Sequence, residues 1–294
     1  MESETISRIG VVGARQMGAG IAEVCARADC DVLVYDGARD LVSAGRARIQ
    51  RSLDQAVSHG TLTERERERV ARGLRFTLDL ADFADRDLVV EAIDEDEDVK
   101  TEVFARLDGI VAPSTILASN TSAVPISALA AATADPSRVI GMHFFHPVPA
   151  LPLMELVTTS VTDDGVAQAA KGFAHDVLGK HVICSGDRTG FVVNALIVPY
   201  VLSAVRMVEN GFATVDDVDT AMVLGCSHPM GPLKLADLVG LDNVAEIADR
   251  MHREYDEPLY APPGLLLRLV EAGRLGRKCG HGFYLYGDRV VADV

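Results

Sequence analysis

The stretch that decides the fold is Ile9-Gly-Val-Val-Gly13-Ala-Arg15-Gln-Met-Gly18-Ala-Gly20-Ile-Ala22, in which a short apolar run meets glycines and then an amphipathic segment. This order predicts a strand, a tight turn and a helix, the setting in which a glycine-rich fingerprint binds a dinucleotide. Backbone N–H groups and the helix dipole at such a helix start receive a pyrophosphate. Asp36 ends the next predicted strand, where a carboxylate can bind an adenosine ribose and repel a 2′-phosphate. The sequence therefore predicts NAD as the cofactor, with contacts from Gly13, Arg15, Gln16, Met17, Gly18 and Asp36.

Arg15 departs from the fingerprint, which has glycine at this position so that the backbone can approach the pyrophosphate closely. Two outcomes are open at this point. The guanidinium either turns outward and pairs with a phosphate through its planar fork, or it fills the cofactor path and weakens binding. The second outcome leads to a different hypothesis, a fold relative that lost NAD binding and has a structural or partner-binding role.

The order of apolar and amphipathic segments predicts two domains. Short apolar runs alternate with amphipathic stretches in residues 1–187, which is typical of βαβ units, whereas helix-length segments dominate residues 188–294. We therefore expect an α/β fold: a Rossmann-type, doubly wound and mostly parallel sheet, followed by an all-α C-terminal domain. The predicted strands are 9–12, 31–35, 74–77, 88–91, 116–118, 139–142, 153–157 and 181–184. The predicted helices are 17–28, 41–57, 63–72, 99–111, 164–178, 191–209, 215–223, 233–255 and 263–272.

The composition excludes several classes of protein. The 294 residues include 28 Lys and Arg against 43 Asp and Glu, a net charge of −15, and only 5% aromatic residues without tryptophan. Nucleic acids are therefore excluded as partners, because they require clustered cations and stacking rings. The first ten residues lack the apolar core of a signal peptide, and no segment approaches the length of apolar chain that spans a bilayer. We expect a cytoplasmic protein that does not contact a membrane.

His143 is the strongest candidate for a catalytic residue. It follows the apolar run 139–142, at a strand end where α/β active sites form, and imidazole suits a general base near neutral pH. Glu155 lies in the next predicted strand, so the two strands could hold an imidazole and a carboxylate side by side. The alternative is a hydrogen-bonded structural histidine. His146 could join His143 as a metal ligand, but no third ligand stands at a suitable spacing, and we predict no metal.

Seven motifs occur in the order found in L-3-hydroxyacyl-CoA dehydrogenases, and together they span nearly the whole chain. The sequence resembles this family, and most of all its short bacterial 3-hydroxybutyryl-CoA dehydrogenases. The resemblance implies NAD-dependent oxidation of a 3-hydroxyacyl thioester to the 3-oxoacyl thioester, or the reverse, by a homodimer formed through the C-terminal helical domain. The motifs are residues 13–22, Val89-Val-Glu-Ala-Ile-Asp-Glu95, Ala118-Ser-Asn-Thr-Ser122, Gly141-Met-His-Phe-Phe-His-Pro147, Gly190-Phe-Val-Val-Asn194, His228-Pro-Met-Gly-Pro232 and Gly282-Phe-Tyr284.

The resemblance also assigns individual residues. It implies that Ser122 hydrogen-bonds the reacting hydroxyl and that Asn194, from the helical domain, holds His143 or the substrate, with the active site in the cleft between the domains. The cofactor positions that it adds are Glu95, Lys100 and Asn120. Two alternatives stay open: Ser122 as the N-cap of a helix after Pro125, and Asn194 as a cap or an inter-domain contact. The chain departs from the family at His146, where an asparagine is usual, and at Ala123, where a serine is usual.

The acyl carrier is the least determined part of the substrate. The resemblance places coenzyme A against a helical arm with a serine at Ser52 and a lysine further on, but the stretch from Ser52 to Thr61 contains no lysine. His59 is the remaining candidate in this stretch, and Arg46, Arg48 and Arg51 precede it. Related enzymes oxidise hydroxyacyl groups bound to an acyl carrier protein. The same chemistry on a carrier-bound extender-unit precursor is therefore the alternative to a CoA substrate.

Overall fold

A computed structural model describes residues 6–287, which form two compact units that divide between Arg188 and Thr189. The first unit is built on an eight-stranded sheet and the second is helical, as the sequence predicted. The strands are β1 (Arg8–Val12), β2 (Asp31–Tyr35), β3 (Leu74–Thr77), β4 (Leu88–Glu91), β5 (Ile116–Ser119), β6 (Val139–Phe144), β7 (Leu153–Thr158) and β8 (His181–Gly186). The helices of this unit are α1 (Gln16–Arg27), α2 (Arg39–Ser58), α3 (Glu64–Arg72), α4 (Glu97–Asp108), α5 (Ile126–Ala131) and α6 (Asp164–Gly172).

The strand order is β3-β2-β1-β4-β5-β6-β7-β8. All neighbours are parallel except β6 and β7, which are antiparallel. The chain builds outward from β1 in one direction and from β4 in the other, so the crossover connections diverge between these two strands. In open α/β sheets, ligands bind outside the carboxyl ends of the strands at this switch point. The fold thus predicts a ligand site among the loops that follow β1, β4, β5 and β6.

The central strands are buried because helices cover both faces of a parallel sheet. Every residue of β4, β5 and β6 is buried, including the polar residues at the strand ends. Apolar residues of α1, such as Ile21 and Ala22, pack in the same core as Val11 and Val34. Because buried polar groups need partners, the strand-end residues can be expected to hold one another.

The second unit consists of α7 (Val193–Glu209), α8 (Val215–Cys226), α9 (Pro232–Val239), α10 (Leu241–Tyr255) and α11 (Gly264–Glu271). The prediction of one helix over 233–255 is wrong. Gly240 separates α9 from α10 with a φ of +99°, a conformation that glycine adopts without strain. The Leu241 N–H then donates to Leu275 O at 3.1 Å instead of continuing the helix. The predicted helix 164–178 also differs, since it continues after Gly172 as a π-helix over Phe173–Val177.

Within residues 6–287, none of the helices combines the length and the apolar character that a bilayer crossing requires.

Candidate active site

The glycine-rich turn after β1 has the shape that a dinucleotide site needs. Gly13 has a φ of +107°, and a Cβ there would lie 2.6 Å from Ala92 O, so only glycine fits. A Cβ on Gly18 would collide with the carbonyl oxygen of Gly13. Asp36 accepts a hydrogen bond from the Ala14 N–H at 2.9 Å and so holds the turn against the end of β2. Helix α1 begins at Gln16 with no side-chain cap and no acidic residue in its first turn. These features fit a pyrophosphate at the helix start.

Arg15 extends from this turn toward the end of β4. Its Nη1 lies 2.6 Å from Asp94 Oδ1, and both side chains are more than half exposed. The guanidinium is thus paired with a carboxylate on the next loop of the same sheet edge. Exposed pairs of this kind contribute little to stability.

A buried ionic cluster lies at the ends of β4 and β5. The Lys100 ammonium donates to Glu91 Oε1 at 2.7 Å, and the two side chains are 1% and 0% exposed. Glu91 also accepts hydrogen bonds from the Ile93 N–H at 2.7 Å and the Ser119 hydroxyl at 2.6 Å. Glu95 Oε2 lies 3.6 Å from the same ammonium. Lys100 is therefore enclosed by the protein next to Glu95, and its predicted contact with the cofactor stays a prediction.

Ser122 is held by Glu95. The Ser122 N–H donates to Glu95 Oε1 at 2.7 Å, and its hydroxyl lies 3.3 Å from the same oxygen. Thr121 donates its hydroxyl to the other carboxylate oxygen at 2.8 Å. The interpretation of Ser122 as an N-cap is wrong, because α5 has Pro125 at the N-cap position. The first N–H groups of α5 donate instead to the carboxylate of Asp187, at 2.9 and 2.8 Å.

His143 and Glu155 form a buried pair. They are directly opposed residues of the antiparallel strands β6 and β7, and His143 Nδ1 lies 2.7 Å from Glu155 Oε2. The side chain of His143 is 8% exposed and that of Glu155 is 0% exposed. Asn120 fixes the end of β6, because its side-chain oxygen accepts the Phe144 N–H at 2.8 Å. The structure therefore brings together the two residues that sequence spacing had paired.

The loop between β6 and β7 touches the cofactor end of α1. His146 Nε2 lies 2.8 Å from the Gln16 side-chain nitrogen, which donates to the imidazole when the ring nitrogen is unprotonated. Burial lowers the pKa of His146 and so favours the neutral ring that accepts this hydrogen bond. Met17, the next residue of α1, packs partly buried on the sheet core. The contact between Gln16 and His146 has no counterpart in the sequence motifs and becomes visible only in the fold.

Of the residues predicted to contact only the substrate, Ser52 and His59 lie on α2 or at its end, and Asn194 lies in the second unit. Ser52 hydrogen-bonds Glu23, a buried carboxylate of α1 whose pKa is raised by burial. His59 is exposed at the C-terminal end of α2. Asn194 lies in the second unit, in the first turn of α7, where Val192 and not Asn194 is the N-cap residue. The interpretation of Asn194 as a cap is therefore wrong, and its predicted role at the substrate stays a prediction.

Comparison with known proteins identifies the family. Residues 8–188 match the family model of the 3-hydroxyacyl-CoA dehydrogenase NAD binding domain, and residues 190–286 match that of the C-terminal domain. The chain belongs to the 3-hydroxyacyl-CoA dehydrogenase family. As a member of this family it is an oxidoreductase with NAD as its cofactor, and the glycine-rich turn with its uncapped helix start fits that cofactor.

Individual members of the 3-hydroxyacyl-CoA dehydrogenase family match over almost the full length. A 3-hydroxybutyryl-CoA dehydrogenase of Mycobacterium tuberculosis is 61% identical over 285 residues, 97% of this chain and 100% of the relative. The crystal structure of M. tuberculosis FadB2 superposes with a TM-score of 0.95 at 61% identity, covering 97% of this chain and 100% of the other. The (S)-3-hydroxybutyryl-CoA dehydrogenase PaaH1 of Ralstonia eutropha gives a TM-score of 0.91 at 38% identity, covering 97% and 100%.

Proposed function

We propose that the protein oxidises a short-chain 3-hydroxyacyl-CoA, of the 3-hydroxybutyryl-CoA type, to the 3-oxoacyl-CoA, or catalyses the reverse reduction, with His143 and Glu155 as the acid–base pair. The observation that carries the proposal is the buried hydrogen bond between these side chains at the edge of the sheet where the cofactor turn lies. Relatives that are 61% identical over 285 residues are named 3-hydroxybutyryl-CoA dehydrogenases, which supports the substrate class.

The proposed chemistry begins with the tautomer of His143. A carboxylate 2.7 Å from Nδ1 accepts the Nδ1–H, so the neutral ring carries its lone pair on Nε2. This nitrogen takes the proton of the substrate hydroxyl and becomes part of an imidazolium. Glu155, which is fully buried, stabilises the positive charge strongly because little water competes for it. In the reverse direction the same imidazolium returns its proton to the ketone oxygen.

The other residues position the reactants in this proposal. Bound NAD supplies the hydride acceptor for the carbinol carbon. Ser122 orients the reacting oxygen, and Glu95 orients Ser122 through its N–H and hydroxyl. The ammonium of Lys100, which is itself paired with Glu91, lies 3.6 Å from the Glu95 carboxylate and helps to hold it in place. Asp36 and the Gly13 turn bind the adenosine and pyrophosphate portions.

The test is a comparison of two carriers of one acyl group. We expect (S)-3-hydroxybutyryl-CoA with NAD⁺ to yield NADH, followed at 340 nm, and the same group on an acyl carrier protein to react far more slowly. Brisk turnover of the carrier-bound substrate without turnover of the CoA ester would overturn the choice of CoA. The absence of a lysine from Ser52 to Thr61 is the feature that favours the carrier protein, because coenzyme A phosphates bind best to cationic side chains.

We also propose a homodimer formed through the helical unit. Its surface exposes large apolar side chains, and Leu196, Phe212 and Leu224 are 71%, 80% and 77% exposed in the single chain. Burial of such side chains in an interface removes apolar area from water. Light scattering after gel filtration should give twice the mass of the chain, and Leu196→Glu with Leu224→Glu should shift it toward a monomer. A monomeric wild type would contradict the proposal.

A further inference from the structure

A buried lysine at the start of β8 holds the loop between β6 and β7. Lys180 is 4% exposed, and its Nζ donates hydrogen bonds to Val148 O at 2.7 Å and Leu151 O at 2.6 Å. The N–H of the next residue, His181, donates to Pro152 O at 2.7 Å. Two successive residues therefore bind three carbonyl groups of one short loop.

The position of Lys180 is itself fixed by its surroundings. Gly179 has a φ of +67° and turns the chain after the π-helix. The Lys180 N–H then donates to Ala174 O at 2.9 Å, and His175 Nδ1 donates to Lys180 O at 3.2 Å. The ammonium thus extends from a backbone that is anchored on both sides.

The use of a charged group here needs an explanation. Burial lowers the pKa of Lys180, which reflects the cost of removing an ammonium from water. An apolar side chain would fill the same space without that cost, but it could not satisfy the carbonyls of Val148 and Leu151. The buried ammonium therefore satisfies two loop carbonyls that an apolar side chain would leave without this donor.

The opposite side of this loop faces the cofactor end of α1. His146 contacts Gln16, the first residue of α1, at 2.8 Å. A Cβ added to Gly20, one turn further along α1, would lie 2.9 Å from Val148 Cβ, so the loop packs directly on the helix. The loop is therefore clamped between Lys180 and the helix whose start fits the pyrophosphate.

We propose that Lys180 is a positioning residue for the cofactor site, acting through the β6–β7 loop. It holds the carbonyls of Val148 and Leu151 so that His146 meets Gln16 at the start of α1. Because Lys180 is buried and its ammonium donates to the loop, it acts through the loop and not by touching substrate or cofactor. Because the same loop joins the strands of His143 and Glu155, the consequence for turnover rests on the proposed function, whereas the consequence for NADH binding does not.

The experiment is a calorimetric titration with NADH. Lys180→Met keeps the length of the side chain and removes its donors, and we expect the Kd to rise about tenfold, a loss of about 1.4 kcal/mol. Lys180→Arg keeps the charge and the donors, and its Kd should lie closer to that of the wild type than the Kd of Lys180→Met does. Lys171→Met is the matched control, because Lys171 is exposed on α6 and undergoes the same change of charge. Wild-type affinity in Lys180→Met would overturn the proposal.

A double-mutant cycle separates positioning from a general loss of stability. His146→Ala should also raise the Kd about tenfold, and in that background Lys180→Met should add less than about twofold, since both changes release one loop. Independent effects that multiply to about a hundredfold would contradict the proposed route. If Lys180→Met does not fold, the cycle is run with Lys180→Gln, whose shorter amide reaches one carbonyl at most. Failure of the wild type to oxidise 3-hydroxybutyryl-CoA would refute the proposed function. The NADH affinities of the double-mutant cycle would still test the role of Lys180.

Discussion

His143 and Glu155 stand directly opposite each other on the antiparallel strands β6 and β7, with Nδ1 2.7 Å from the carboxylate oxygen. Among the neighbouring strands formed by residues 6–287, β6 and β7 are the one antiparallel pair, and the other pairs are parallel. Because the chain returns from β6 to β7 in a hairpin-like connection, residues twelve positions apart in the sequence can face each other across the two strands. The geometry of the pair is therefore set by strand register, which a one-residue slip would destroy.

Replacement of His143 tests the proposed base. We expect His143→Ala to lower kcat by about 10² to 10⁴, the usual contribution of a positioned acid or base, while the Kd of NADH stays within about twofold. Steady-state oxidation of 3-hydroxybutyryl-CoA and calorimetry measure the two quantities. Added imidazole should restore part of the turnover, because it can occupy the space of the missing ring. A variant with more than about a third of wild-type kcat would refute the assignment.

Replacement of Glu155 tests the orienting carboxylate separately. Glu155→Gln keeps the shape of the side chain but removes the charge that stabilises the imidazolium, and its amide N–H can face Nδ1 and stabilise the wrong tautomer. We expect kcat to fall by about 10² to 10⁴ with the fold intact, as for other buried acid–imidazole pairs. Glu102→Gln, at an exposed carboxylate on α4, is the control and should retain wild-type turnover. Unchanged kcat in Glu155→Gln would show that the pair is structural.

Much of the first unit follows from local sequence pattern. The strand–turn–helix around Gly13 and the pairing of His143 with Glu155 were predicted because each depends on short segments with a clear period. The contact of Gln16 with His146 spans 130 positions, and it depends on how a loop packs on α1, which no local pattern encodes. The break at Gly240 was missed for a related reason. A single glycine inside an apolar period is tolerated in helices, and here a partner at Leu275 decides the outcome.

The same limit applies to the candidate substrate residues. The family resemblance places Ser52 on the arm that contacts coenzyme A, but in the fold its hydroxyl hydrogen-bonds Glu23, a buried carboxylate of α1. The sequence does not single out Lys180, because one lysine before an apolar run carries no signal of burial. Its role depends on carbonyl groups about thirty residues earlier in the chain. Residues that act by positioning a loop can thus be identified only from the three-dimensional structure.

Acid should weaken the first unit through Asp108. Burial raises the pKa of this carboxyl, but the Arg138 guanidinium at 2.6 Å and the Ala134 N–H outweigh it, so the pKa lies below its usual value. A lowered pKa contributes stability that is present above the unfolded-state pKa of about 4 and is lost as pH falls through the folded-state value. Asp108→Asn should therefore lower the free energy of urea unfolding at pH 7 by about 1 to 3 kcal/mol, and by less at pH 3.

The control for this prediction is Asp249→Asn. Asp249 pairs with Arg253 at 2.7 Å on α10, with both side chains more than half exposed, and exposed pairs are worth little. Its unfolding free energy should match that of the wild type at both pH values. A gap between Asp108→Asn and the wild type that stays constant from pH 7 to pH 3 would show that the carboxylate charge contributes nothing.

Arg15 provides the test of how the altered fingerprint binds its cofactor. The guanidinium is paired with Asp94, and we expect it to exchange this partner for a cofactor phosphate, since phosphate offers it a stronger charge-assisted hydrogen bond. Asp94→Asn should then lower the Kd of NADH by about two- to fivefold, and Arg15→Gln should raise it by a similar factor, as expected for exposed charges. Both effects should shrink between 0.05 and 0.5 M salt, because screening weakens exposed ion pairs.

Arg15→Gly separates the two outcomes that the sequence left open. Tighter binding in this variant would show that the side chain obstructs the cofactor path, whereas weaker binding supports a phosphate contact.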